Sequence, residues 1–81
     1  MNMIKVQFRG LDSVKNFVNI LSKFECDFDI VDKRYVIDAK SIMGLFSLDL
    51  THPLDLKIYS EDEAVVKSVI ESLDDFNYVV K

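Results

Sequence analysis

The sequence predicts an α+β fold in which helices cover one face of a four-stranded antiparallel sheet. Segments that alternate apolar with polar residues indicate strands, and segments with apolar residues at helical spacing indicate helices between them. The predicted order is strand, helix, strand, strand, short helix, strand, helix. Because the apolar residues fall on one face of each strand, helices packed against that face are the simplest way to bury them.

The first strand and the first helix are predicted from these two periodicities. The alternating apolar residues of the strand, which Gly10 ends, are Ile4, Val6 and Phe8. The apolar stripe of the helix consists of Val14, Phe17, Val18, Leu21 and Phe24. Asp12 or Ser13 is the predicted N-cap, since these side chains accept hydrogen bonds from first-turn amides.

A β-hairpin is predicted to follow the first helix. Cys26, Phe28 and Ile30 form the apolar side of its first strand, and the second strand runs over 34–38. The charged pair Asp32-Lys33 lies between them. We predict that this pair forms a two-residue turn.

The second half of the chain carries a short helix, a strand and a long helix. The short helix is predicted to start at Ser41, and the segment Thr51-His52-Pro53 is a loop because proline disfavours a helical conformation in the preceding residue. The apolar positions of the fourth strand are Leu54, Leu56 and Ile58. A capping box over 60–63 opens the last helix, which should end near Asp74. The tail from Phe76 to Lys81 is β-prone, and its pairing is left open.

Composition limits the kinds of protein this can be. The chain has 81 residues, of which 49% are hydrophobic, so we expect one small domain over residues 1–81. Its net charge of -4 argues against nucleic acid as a partner. A single cysteine, Cys26, cannot form a disulfide within the chain, and no apolar run is long enough to span a membrane. We therefore expect a cytoplasmic protein.

Few residues are candidates for catalysis. His52, the only histidine, lies in a predicted surface loop, and Cys26 belongs to the apolar side of a strand. The acidic clusters fall on a predicted solvent-facing strand and at a helix start, where charge is expected. No glycine-rich phosphate loop or metal-ligand spacing is present, so we expect no enzymatic activity and no cofactor or metal.

Ser41 is a stronger candidate for a functional role. It lies at a helix start, where unpaired amides favour an anion such as a phosphate. Ile42 and Met43 follow it, and in so apolar a short helix some residues must face solvent. A modifiable serine beside exposed apolar side chains makes a plausible docking site. The alternative is that Ser41 only caps the helix, and that the helix only closes the sheet.

The segment from Lys40 to Leu48, KSIMGLFSL, resembles the regulatory-serine segment of HPr, the histidine-containing phosphocarrier protein of the bacterial sugar phosphotransferase system. The order of predicted elements is also similar to that of this family, apart from the tail from Phe76 to Lys81. The resemblance implies an HPr-like open-faced β-sandwich, with a four-stranded antiparallel sheet and three helices on one face (βαββαβα).

The resemblance also implies a change at the phosphate-carrying site. In the family, a Gly-Leu-His-Ala-Arg-Pro motif opens the first long helix, and its histidine passes a phosphoryl group from enzyme I to sugar permeases. The similar run here is Gly10-Leu11-Asp12-Ser13-Val14-Lys15. Asp12 replaces the histidine, so we expect no phosphocarrier chemistry, and we expect its carboxylate to cap the helix.

The resemblance is therefore to family members that lost the histidine and kept the serine, which act as regulators in signal transduction. It implies phosphorylation of Ser41 by HPr kinase/phosphorylase, and binding to a LacI-type transcriptional regulator through Lys40, Ile42, Met43 and Phe46. Two alternatives stay open. A phosphoryl group is still carried by Asp12 or His52, or the domain binds an unrelated partner. Oligomeric state is not predicted.

Overall fold

Four strands and three helices follow one another in the predicted order in the computed structural model, which describes residues 2–80. The elements are β1 (Asn2–Val6), α1 (Leu11–Leu21), β2 (Asp27–Asp32), β3 (Tyr35–Asp38), α2 (Ile42–Phe46), β4 (Leu54–Tyr59) and α3 (Glu63–Asp74). Lys81, the end of the predicted tail, lies outside the described residues. The predicted fold class is confirmed.

The sheet is antiparallel throughout and has the strand order β1-β4-β2-β3. Leu56 in β4 faces Ile4 of β1 on one side and Ile30 of β2 on the other. These residues therefore lie on one face, as the two-residue period of the sequence predicts. The opposite face carries mainly charged residues, including the ion pair between Lys5 Nζ and Asp55 Oδ1 at 2.9 Å.

The core lies between the apolar face of the sheet and the helices. Its largest fully buried side chains come from every helix and from strands β2 and β4: Phe17, Phe28, Leu21, Ile30, Leu45, Leu54, Leu56, Ile58 and Leu73. Burying each such side chain contributes about 1.5–3 kcal/mol. Among residues 2–80, no polar or charged residue is fully buried, so the hydrophobic effect dominates the interior.

The N-caps of the two long helices differ from the prediction. α1 is capped by Gly10 and not by Asp12 or Ser13. Gly10 has φ of 148°, a conformation that favours glycine. The helix begins at Leu11, before both of the predicted cap residues. The Ser13 hydroxyl donates to the Gly10 carbonyl at 2.6 Å. In α3 the cap is Asp62, which accepts from the Ala64 amide at 3.0 Å, whereas the predicted capping box started at Ser60.

The β2–β3 turn is shifted by one residue from the prediction. Asp32 pairs with Tyr35 in the register, so the two turn residues are Lys33 and Arg34. Lys33 adopts φ of 58°, the left-handed conformation that a tight hairpin requires. The alternation of the strands does not determine which pair of charged residues makes the turn.

The tail, whose pairing the sequence left open, lies along the outer edge of β1. Val79 forms a β-bridge with Val6. Tyr78 O accepts a hydrogen bond from Gln7 N at 2.9 Å, and Val80 N donates to Lys5 O at 3.0 Å. None of the helices within residues 2–80 has the length and apolar character needed to cross a membrane.

Candidate functional site

The start of α2 holds Ser41 in a well-defined position. Ser41 is the N-cap, as predicted, and its Oγ accepts a hydrogen bond from Gly44 N at 3.1 Å. Its backbone N–H donates to Asp38 O at 3.0 Å, which links the helix start to the end of β3. The residue is half-buried. Backbone hydrogen bonds to Asp38 and Gly44 therefore fix the position of Ser41.

Gly44 explains how α2 approaches the sheet so closely. A Cβ atom at this position would lie 2.7 Å from Cγ2 of Ile37 in β3 and 3.1 Å from Ser41 Oγ. Contacts this short are not tolerated between carbon atoms. Any larger residue at this position would therefore force Ile37 or α2 to move. This role of Gly44 is not predictable from the sequence, where the only signal is a glycine within a predicted helix.

The apolar residues of α2 divide between the core and the solvent. Leu45 is fully buried, and Ile42 is half-buried against the core. Met43 is 80% exposed and Phe46 is 41% exposed. A five-residue helix buries only one side, so an apolar surface remains next to Ser41. We call Met43 and Phe46 together the α2 apolar surface.

Lys40 has a structural contact that the sequence did not predict. Its Nζ donates to Phe24 O at 2.8 Å, and the ammonium lies 5.5 Å from the centroid of the Phe28 ring. These contacts join the start of α2 to the segment after α1. Lys40 keeps two further N–H donors, and a contact with a partner stays a prediction.

Asp12, at the position that resembles the family's histidine, lies in the first turn of α1 and is exposed. Its carboxylate forms no hydrogen bond or ion pair with the described part of the chain, so the prediction that it caps the helix is wrong. A negative charge in the first turn still favours the helix dipole. Since α1 packs against α2, Asp12 belongs to an element that contacts the Ser41 helix.

His52 lies in the predicted loop, but its ring is not free. Nε2 is 3.1 Å from Asp32 Oδ1, and Nδ1 is 3.6 Å from Asp49 Oδ2. Hydrogen bonds from the Thr51 hydroxyl and amide hold the pKa of Asp49 below its usual value. The two carboxylates make this an unfavourable place for a phosphoryl group.

Within residues 2–80, no three His, Cys, Asp or Glu side chains are placed together to hold a metal ion. Cys26 is half-buried and packs against the core. Among the candidate residues, those that lie together in the structure belong to the Ser41 segment, from Lys40 to Phe46. Asp12 and His52 lie in other elements, and they do not form one site with each other.

Comparisons with known proteins give a family match and similar solved structures. The family model described as PTS-HPr, "PTS HPr component phosphorylation site", matches residues 12–76. A search of curated proteins gave no match. A crystal structure titled HPr-C-His, from Thermoanaerobacter tengcongensis, is similar with a TM-score of 0.75 and 26% identity, covering 95% of this chain and 91% of that one.

A second solved structure, the histidine-containing phosphocarrier protein of Mycoplasma, has a TM-score of 0.71. It is 14% identical, and the alignment covers 99% of this chain and 98% of that chain. At this identity the likeness concerns the fold alone. Both structures are similar in fold to the arrangement of sheet and helices described above.

Proposed function

The chain belongs to the HPr family of the phosphotransferase system, and on that premise we propose that it is a non-catalytic regulatory member phosphorylated on Ser41. It acts in the cytoplasm through protein–protein interaction, in carbon-catabolite or related regulation. The observation that carries this proposal is the position of Ser41 at the start of α2, beside the exposed side chain of Met43.

Phosphorylation would change the charge of this surface without changing the fold. A kinase transfers the γ-phosphoryl group of ATP to Ser41 Oγ, and ADP and a proton are released. The phosphate adds about -1.5 to -2 charges and acceptor oxygens that pair well with arginine. A phosphate oxygen can take over the hydrogen bond that Gly44 N now donates to Oγ. The α2 apolar surface would then carry a charged group at its border.

The partners that fit this arrangement are HPr kinase/phosphorylase and a LacI-type regulator. The kinase needs access to the half-buried Ser41 hydroxyl, and exposed residues, Asp38 and Met43, lie on either side of it in the chain. The regulator would contact Met43 and Phe46 through apolar burial and the phosphate through arginine side chains. Lys40 and Ile42 would line the border of the contact.

The same proposal excludes phosphate transfer through the family's usual route. Asp12 stands where the histidine is expected, so a phosphoramidate cannot form there. An acyl phosphate usually requires a divalent cation held by further carboxylates, and Asp12 has no such group around it in the described residues. Incubation with enzyme I and labelled phosphoenolpyruvate should therefore leave the chain unlabelled. A hydroxylamine-labile or acid-labile label would support a carrier function instead.

Mass spectrometry after incubation with HPr kinase and ATP tests the proposal directly. We expect one added phosphate, mapped to Ser41, and none in Ser41→Ala. Ser47→Ala is the matched control, because Ser47 lies at the other end of the same helix and its hydroxyl donates only to Gly44 O. It should be labelled like the wild type. No phosphate on the wild type, or a phosphate that persists in Ser41→Ala, would contradict the proposal.

A further inference from the structure

One edge of the sheet is covered by another segment of the described chain, and the other edge is not. The tail covers the outer edge of β1 through hydrogen bonds at Lys5 and Gln7. No segment within residues 2–80 pairs with the outer edge of β3. An uncovered edge strand presents free backbone donors and acceptors to another strand. The edge of β3 is therefore the place where this sheet can be extended.

The backbone groups at this edge can be assigned from the β2–β3 register. Ala39 N donates to Phe28 O at 3.0 Å, in line with the pairing of Ile37 with Ile30. Hydrogen-bonded pairs alternate along an antiparallel ladder, so Tyr35 and Ile37 direct their backbone groups toward β2. Val36 consequently directs its N–H and C=O outward, and its side chain is 58% exposed.

Charges of opposite sign flank Val36. Arg34 lies two residues before it and forms no ion pair with another described residue. Asp38 lies two residues after it and faces Asp29 across the β2–β3 pair. Like charges directly opposite one another destabilise a sheet. An approaching cation at Asp38 would relieve this repulsion.

The open face beside β3 is strongly acidic. Asp27, Asp29 and Asp38, together with Tyr59, line an open cleft of about 300 Å³. Tyr59 donates its hydroxyl to Asp29 Oδ2 at 2.8 Å. Lys57 pairs with Asp29 in the β2–β4 register, but no ion pair joins them. The face next to the free edge thus carries unneutralised negative charge.

We propose that the edge of β3 pairs with β3 of a second copy of this chain. An antiparallel pairing centred on Val36 brings its outward backbone groups against the same groups of the second copy. Arg34, the turn residue directly before β3, then comes opposite the partner subunit's Asp38, and Asp38 comes opposite the partner subunit's Arg34. The surface is self-complementary, as a two-fold interface requires, and one continuous sheet runs through both copies.

This dimer is weak and depends on concentration. β3 is only four residues long, so the interface lies at the low end of the size range for specific complexes, below about 1,200 Å². Sedimentation velocity over micromolar to millimolar concentrations should show reversible dimerisation. Backbone NMR shifts should change with concentration at Arg34, Val36 and Asp38, and not at Met43.

Charge reversal provides the decisive test. Arg34→Asp and Asp38→Arg each place like charges opposite one another in a homodimer, and each should raise the dissociation constant about tenfold or more. A mixture of the two single variants should form a heterodimer, because both charge pairs are then complementary. The double variant R34D/D38R should dimerise again as a homodimer.

One control variant separates the interface from the fold. Asp38 Oδ1 accepts a hydrogen bond from Lys40 N at 2.9 Å, so Asp38→Asn keeps an acceptor there and removes only the charge. It should weaken the dimer while circular dichroism stays unchanged. A chain that is monomeric at millimolar concentration, or a dimer that ignores every charge change, would overturn the proposal. The test uses unphosphorylated protein, so it is independent of whether Ser41 is modified.

Discussion

At the scale of single residues, Met43 is the side chain that best tests the proposed partner contact beside Ser41. Because its side chain is 80% exposed, Met43→Asp removes no core packing. We expect it to weaken binding of the phosphorylated chain to the proposed LacI-type regulator at least about tenfold, with a change in unfolding free energy within about 0.5 kcal/mol.

Met3→Asp is the matched control for this change. Met3 is also mostly exposed, but it lies on β1, away from α2. Binding measured by calorimetry should be unaffected by Met3→Asp. If Met43→Asp unfolds the protein, or if both variants bind like the wild type, the α2 apolar surface is not the contact.

Gly44 controls the position of the Ser41 hydroxyl. Gly44→Ala would place Cβ against Cγ2 of Ile37, and Ile37 is β-branched and cannot turn this atom away easily. We expect a loss of about 1–3 kcal/mol in urea unfolding, together with slower phosphorylation of Ser41. In a double-mutant cycle, Ile37→Ala should relieve part of the cost. An additive result would show that the two side chains do not compete for space.

Some of the candidate site is predictable from the sequence and some is not. Ser41 and the exposed Met43 follow from local rules, since a serine before a short apolar helix caps it and such a helix cannot bury every side. The close approach of Gly44 to Ile37 depends on how α2 lies on the sheet, which no local pattern contains. The contact of His52 with Asp32 likewise joins residues that are distant in sequence.

At the scale of the elements, the two long helices begin in different ways. Asp62 accepts a hydrogen bond from the amide of Ala64, whereas Asp12 makes no such bond and Gly10 is the cap. Asp62→Ala should therefore lower the unfolding free energy by about 0.5–2 kcal/mol. Asp12→Ala should lose only the dipole contribution of about 0.3–1 kcal/mol. Thermal unfolding of both variants checks this, and equal losses would contradict the assigned caps.

The elements themselves were predictable, and their ends were less so. Periodicity identifies β1, β4 and α3 because burial on one face imposes it. Caps and turns depend on a choice among adjacent polar residues, such as Ser60 and Asp62. Local propensity separates these only weakly, and the backbone geometry of the finished fold decides between them.

At the scale of the whole molecule, the tail packs against the rest of the fold. Most of it lies beyond residue 76, where the match to the family model ends. Tyr78 is the residue that fixes the tail. Its ring packs edge-to-face on Phe8 and Phe17, with centroids 5.9 and 5.3 Å away. Its hydroxyl donates to the Ser13 carbonyl and accepts from Asn16 Nδ2 at 3.3 Å. One side chain thus ties the tail to α1 and to Phe8, which follows β1.

Removing these contacts stepwise tests how much the tail stabilises the fold. Tyr78→Phe deletes only the hydroxyl and should cost about 0.5–1.5 kcal/mol, whereas Tyr78→Ala also leaves a cavity and should cost about 3–5 kcal/mol. Phe76→Ala is the control, because Phe76 is largely exposed and should change stability by less than about 0.5 kcal/mol. Urea unfolding gives all three values. A Tyr78→Ala loss no larger than that of Phe76→Ala would mean that the tail packs without supporting the core.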